Sequence, residues 1–184
     1  MTESEAYLIE CKSTFKDDSK MNQINHCKLA IPEEVGEIMG ELKRMEAYGL
    51  DESMCKNRLK LELGDLLYYC IIFSDLTEQD MIESHFDLLY HDSIKFEDRK
   101  KNHSFVKMFQ ACLDIHKYSI YSNEHFLALR SLLTQVKRLG SIYGYTFAEI
   151  AESNVKKIRL RHGKSFDESK TVEENRDRDG ENNI

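Results

Sequence analysis

Two stretches of the chain share one pattern: Glu34-Val35-Gly36-Glu37-Ile38-Met39 and Glu62-Leu63-Gly64-Asp65-Leu66-Leu67. Each reads acid, aliphatic, Gly, acid, aliphatic, aliphatic. Residues three apart on a helix share a face, so each copy sets two carboxylates side by side. Two such helices packed together bring Glu34, Glu37, Glu62 and Asp65 into one cluster, and uncompensated negative charges at close range require a cation. Ligation by oxygen alone suits Mg²⁺ or Mn²⁺, or Ca²⁺, rather than zinc. A second group complements the first. Asn154, Lys157 and Arg161 fall at i, i+3 and i+7, and five cations lie between Lys156 and Lys164 in a chain of net charge -7. Cations near a helix C-terminus are favoured by the dipole without any ligand. The functional reading is a phosphate-binding surface, with Arg as a fork of donors, Lys as a point charge and Asn as a neutral donor.

Helices must position these groups. The 184 residues are 41% hydrophobic, enough for one sizeable core, and one Pro with eight Gly is too few turn-formers for a many-stranded β fold. Leu, Ile, Glu, Lys and Met favour helix, so the expected class is all-α. No apolar run approaches the roughly 20 residues that span a bilayer, and the acidic start Met1-Thr2-Glu3-Ser4-Glu5 lacks a signal-peptide shape. The acidic balance disfavours a nucleic-acid-coating role. Cys11, Cys27, Cys55, Cys70 and Cys112 are odd in number and widely spaced, which excludes a zinc-knuckle pattern and reads as reduced thiols in a cytoplasm, with Cys70 and Cys112 as core filler.

The expected helices run from about Glu5 to Lys12, from Met21 to Tyr48 and from Asp51 to about Asp75. Pro32 either starts a helix or kinks a longer one; Gly49 is placed as a C-cap and Asp51 as an N-cap. Thr77 is expected to open the next helix, with Asp80 completing an imperfect capping box. Two or three helices fill the segment to Leu139, Gly140 and Gly144 flank a turn, and Thr146-Phe147-Ala148-Glu149 is a capping box opening a last helix to about His162. Residues 1–166 form the domain, 76–139 a helical elaboration within it, and 167–184 a mobile polar tail. At 100° per residue, Ile31, Val35, Ile38, Met39, Leu42 and Met45 form one apolar stripe, and Leu59, Leu63, Leu66, Leu67, Cys70 and Phe73 another. Both acid pairs sit at the edge of their stripe. A mid-helix Gly costs about 1 kcal/mol against Ala, so Gly36 and Gly64 predict close backbone approach.

Over Asn25-His26, the Glu34 and Glu62 stretches, Lys43, Tyr68-Tyr69 and Tyr145 through Phe166, the chain resembles the MazG-like, all-α nucleoside triphosphate pyrophosphohydrolases. That family shows a Glu-x-x-Glu helix, a Glu-x-x-Asp helix and then Asn-x-x-Lys-(Leu/Ile)-x-x-Arg-Tyr-Pro-x-Gly-Phe. His162-Gly163 replaces the usual Tyr-Pro, Pro32 replaces a small helical residue, and residues 76–139 exceed the minimal family length. The resemblance implies Glu34, Glu37, Glu62 and Asp65 as Mg²⁺ ligands, with Mn²⁺ as an alternative ion. It implies Asn154, Lys157, Arg161 and Lys43 as triphosphate contacts, and His26 as a further substrate-side residue beside Asn25, Tyr68 and Tyr69. The implied reaction is NTP or dNTP plus water to the monophosphate and pyrophosphate, in a homodimer or higher homo-oligomer, with no nucleic acid or membrane as partner. A carboxylate not used as a ligand is needed to orient water, and Glu41 and Glu33 are the candidates. Phosphoribosyl-ATP pyrophosphohydrolase activity and a non-catalytic helical module are the alternatives. A ferritin-like di-iron site requires Glu-x-x-His, and none of the seven His has Glu three residues before it.

Overall fold

Among the described residues seven α-helices supply the regular structure and no strand occurs, so the class is all-α. The computed structural model describes residues 1–79, 81–91, 101–163 and 166. The helices are α1 (Glu3–Thr14), α2 (Lys20–Tyr48), α3 (Glu52–Leu76), α4 (Met81–His91), α5 (Lys101–Lys117), α6 (Asn123–Ile142) and α7 (Phe147–His162). Asp80, Lys164 and the expected polar tail lie outside the described residues.

Local chemistry sets the ends. Thr2 with Glu5, and Thr146 with Glu149, form complete capping boxes at α1 and α7. Gly49 takes the left-handed conformation at φ 59° to end α2, the position where Gly avoids a Cβ penalty. Asp51 then caps α3 by accepting from the Met54 N–H at 2.9 Å. Pro32 starts no helix: α2 runs through it. The lost hydrogen bond and ring clash cost about 3 kcal/mol, and burial of Ile24, Cys27, Ile31, Val35, Ile38 and Leu42 on both sides of it offsets that cost.

Two expected ends are corrected. Thr77 closes α3 rather than opening a helix, because its hydroxyl donates to the Phe73 carbonyl at 2.7 Å and its N–H to the same oxygen at 3.0 Å. Gly140 lies inside α6, where a Cβ would run into the Ile150 side chain; the turn is made by Gly144 at φ 93°.

α3 is the centre of the bundle. α2 packs along it after a three-residue connection, and α1, α6 and α7 cover its other sides. Leu59, Leu63, Leu66, Leu67, Cys70 and Phe73 are fully buried, as the stripe predicts, and so is Ile71 outside the stripe. The segment 76–139 supplies α4, α5 and most of α6, and its Phe86, Met108, Ile115 and Leu133 join the same core as α3. All five cysteines are free and buried. No helix among the described residues is long and apolar enough to cross a membrane.

Candidate metal centre

The register of the α2–α3 hairpin places the acids. Glu34 and Asp65 lie equally far from the midpoint between Gly49 and Leu50, and so do Glu37 and Glu62. Antiparallel helices rise equally per residue, so each acid of α2 meets one of α3 at the same height. Glu34, Glu62 and Asp65 each offer a carboxylate oxygen within 4.8 Å of the others. Glu37 is exposed and stands outside this trio, close enough for its charge to act on Glu34 and Glu62. Thus three of the four expected ligands converge and the fourth stands on the solvent side.

Burial and mutual repulsion dominate the electrostatics. Glu34 is pushed up to about 10, first by desolvation and then by Asp65, Glu62 and Glu37, with Lys157 opposing. Glu62 is pushed up to about 7 by desolvation, with Lys157 pulling it down and Asp65 and Glu37 raising it. Glu34 Oε2 and Glu62 Oε2 are buried with no hydrogen-bond partner. A buried carboxylate oxygen without a donor is costly, and a hard cation is the ligand that such oxygens fit. Oxygens sharing a Mg²⁺ at about 2.1 Å lie up to about 4.2 Å apart, and those sharing Ca²⁺ at about 2.3–2.6 Å lie somewhat farther. The trio therefore meets the donor type and spacing of such an ion after small side-chain adjustments.

α7 supplies the donors. Lys157 is 4% exposed; its ammonium donates to Asp65 Oδ2 and stands 3.8 Å from Glu62 Oε2. Burial works against its charge, yet Asp65 and Glu62 outweigh that and raise its pKa. Asn154 is fully buried, and its Nδ2 donates to Asp65 Oδ1 at 2.9 Å. Both residues therefore hold the Asp65 carboxylate. Gly64 makes this possible: a Cβ there would lie 2.8 Å from Asn154 Cβ and 3.4 Å from the Ile150 carbonyl. The expected close approach is real at Gly64 and absent at Gly36, where nothing lies within 4 Å, because α7 covers α3 and leaves that face of α2 bare.

Arg161, half-exposed one turn beyond Lys157, has its charge within reach of Lys157 and Tyr69. Tyr69 is a contributor that spacing did not single out; burial first, then Glu34 and Asp65, raise its phenol. His26 stacks on Phe15 at 5.3 Å and tilts against Tyr69 at 5.5 Å, which joins it to the edge of the centre. Desolvation holds its imidazole below the usual range, with Glu33 opposing. Glu33 is exposed on that His26 side. Glu41 is buried and ion-paired to Arg44, about 10 Å along the helix from Glu34 at 1.5 Å per residue. Neither Glu33 nor Glu41 joins the trio, so the water-orienting role expected of them is not supported by their positions. Lys43 is not brought together with the trio: nine residues from Glu34 puts it on the opposite side of α2, where its ammonium sits 5.6 Å over the Tyr48 ring.

The residue that sequence reasoning missed is Tyr7. It is buried on α1, and its hydroxyl donates to Asn154 Oδ1 at 2.7 Å. Its signal was the spacing Tyr7, Cys11, Phe15, an i, i+4, i+8 apolar line. Comparison of the chain with protein-family models, with curated proteins and with solved structures finds no match.

Proposed function

We propose that the chain is a divalent-cation-dependent nucleoside triphosphate pyrophosphohydrolase with a preference for Mg²⁺. The observation that carries this reading is the trio of Glu34, Glu62 and Asp65, oxygens within 4.8 Å, two of them orphaned in the interior. The MazG-like resemblance supplies the reaction class. A triphosphate and a carboxylate cluster repel one another, and a bound divalent ion resolves the conflict while polarising the phosphoryl oxygen and acidifying water. Glu34, whose burial and acidic neighbours favour the protonated form, would release that proton on serving as a ligand. Glu37 stands on the solvent side, where substrate enters, and completes the ligand set there. Lys157 keeps Asp65 and Glu62 aligned from behind. Arg161, half-exposed one turn beyond Lys157, is placed to offset charge on the leaving pyrophosphate. The proposed unit is a homodimer: the outward face of α5 carries Val106, Phe109 and Leu113 at 68%, 49% and 64% exposure, an apolar line that a second copy would cover.

A non-catalytic helical module is the second reading. Its support is Lys157, which already places one positive charge in the cluster. Thermal stability separates the two. At 100 times its dissociation constant an ion adds about 2.7 kcal/mol, or about 5–11 °C in a chain of this size. A melting temperature that ignores Mg²⁺ and Mn²⁺ would leave the module reading standing. The decisive assay is a panel of NTPs and dNTPs with Mg²⁺, scored for pyrophosphate. Release of orthophosphate alone would contradict cleavage between the α- and β-phosphates.

A further inference from the structure

We propose that Tyr7 is a positioning residue for Asp65, acting from α1 through the Asn154 amide. Asp65 is held at both oxygens by donors one turn apart on α7, Asn154 Nδ2 on Oδ1 and Lys157 Nζ on Oδ2. So held, Asp65 keeps an oxygen within 4.8 Å of one oxygen of Glu34 and one of Glu62. An Asn side chain presents a donor on one side and an acceptor on the other, so its grip on a carboxylate depends on which way it is turned. A half-turn would set Oδ1 against Asp65, oxygen against oxygen.

Asp65, which only accepts, selects the orientation that turns Nδ2 toward it, and Tyr7 holds the far end of the amide in that orientation. Its hydroxyl donates to Asn154 Oδ1 at 2.7 Å, which fixes the amide plane and leaves no acceptor of Asn154 unpartnered. The ring is itself fixed, stacked on Phe86 at 5.3 Å, which in turn meets Phe147 edge-on at 5.1 Å. Burial, and then Cys11, raise the phenol further, so the hydroxyl stays protonated and remains a donor. The three groups form one directed line, Tyr7 to Asn154 to Asp65, all donors pointing toward the centre. Gly64 admits Asn154 to its end of the line. α1 thus has a task beyond covering the core: it sets the angle of one carboxylate in the cluster.

The affinity arm of the test rests on the metal-centre reading, while the structural arm does not. The variant is Tyr7→Phe, which keeps the ring and its stack. In metal-free protein the Asn154 carboxamide protons are identified by NMR from their loss in Asn154→Ala. Their exchange with solvent should be slow in the parent chain and at least about tenfold faster in Tyr7→Phe. Mn²⁺ titrated by calorimetry should bind Tyr7→Phe about 10–100-fold more weakly, the range seen when an outer partner of a ligand is removed. Tyr90→Phe is the control. Tyr90 lines the α1–α4–α7 cleft with Tyr7 but bonds toward Glu152, so it should change neither quantity. Unchanged carboxamide exchange in Tyr7→Phe overturns the proposal whatever the metal does. So does unchanged Mn²⁺ affinity where the parent binds the ion. A parent that binds no Mn²⁺ removes the metal-centre reading and leaves Tyr7 to be judged on exchange alone. A parent whose Asn154 carboxamide exchanges as fast as that of exposed Asn25 refutes the proposal without any variant.

Discussion

Gly64→Ala and Gly36→Ala should move stability in opposite directions although the two glycines occupy the same place in the repeated pattern. In an exposed helix interior Ala gains about 1 kcal/mol over Gly. At Gly36 nothing lies within 4 Å of the added methyl, so the gain should appear in full and raise the melting temperature by about 2–4 °C. At Gly64 the methyl would lie 2.8 Å from Asn154 Cβ. Carbon atoms settle at about 3.5–4.0 Å, so α7 must retreat by roughly 1 Å. The obstructing atoms are Asn154 Cβ, Asn154 Nδ2 at 3.3 Å and the Ile150 carbonyl; the first and last cannot swing aside, and Nδ2 is tied to Asp65. Overpacking of this kind costs about 1–3 kcal/mol, which offsets the helix gain and leaves Gly64→Ala about 1–3 kcal/mol below Gly36→Ala. Retreat of α7 also draws Asn154 and Lys157 from Asp65, so the Mg²⁺-dependent rise in melting temperature should shrink in Gly64→Ala and persist in Gly36→Ala. Urea unfolding with and without Mg²⁺ measures all four quantities. Equal stability of the two variants would refute the argument that α7 closes on Gly64. A loss at Gly36 would mean that a helix from another chain covers that face of α2.

Glu34→Gln should stabilise the metal-free chain above pH 6 and abolish its response to Mg²⁺. A carboxyl raised in the folded state contributes its full stability below the unfolded value near 4.5 and loses it as pH rises toward about 10; the parent's melting temperature should fall over that window and the variant's should fall less. A variant that retains the parent's slope would move the source of repulsion elsewhere. His125 contributes to the acid limb beside His85, whose imidazole burial likewise lowers to about 4: His125 is fully buried, both its ring nitrogens lack partners, and burial, then Lys28, lowers it to about 4. Stability should therefore fall as pH drops from the unfolded value near 6.5 toward 4, by up to about 3 kcal/mol. His125→Phe, which keeps the ring against Phe73, should flatten that limb, and an unchanged acid transition would disprove the assignment. Asp65→Asn should abolish metal binding and cost up to about 3 kcal/mol, since it leaves the buried Lys157 charge only Glu62, 3.8 Å away; a cost under about 1 kcal/mol by urea unfolding would show that Lys157 turns fully to Glu62. Sedimentation at micromolar concentration should give a dimer, and a species of only 21.6 kDa would contradict it.

What the sequence could say about this molecule divides by what periodicity encodes. The stripe through Leu59, Leu63 and Phe73 identified a buried face because a single helix carries that information itself. The convergence of Glu34 with Asp65 was legible too, more strongly than the motif alone implies: both acid pairs mirror about Gly49–Leu50, and any short hairpin with that turn must bring them level. Which helix covers which face is a property of the assembly, and the misplacements arise there. Gly36 and Gly64 are equivalent within their helices and differ only because α7 lies on one of them. Lys157 and Asn154 were correctly placed on one face with Arg161, yet a face does not reveal depth. Two of the three are sealed against Asp65 and the third stands half-exposed, so a line of residues that suggested one phosphate surface is divided between a buried pair bonded to a carboxylate and one residue open to solvent. Lys43 shows the converse: it shares a helix with Glu34, but nine residues carry it to the far side, an angle that spacing already gave. The Tyr7, Cys11, Phe15 line could mark Tyr7 as buried, but no local pattern could name its partner, because the hydrogen bond to Asn154 spans 147 positions. Residues that bear charge at a site are thus found by pattern, whereas residues that orient them come from whichever element the fold lays alongside, and only coordinates name that element.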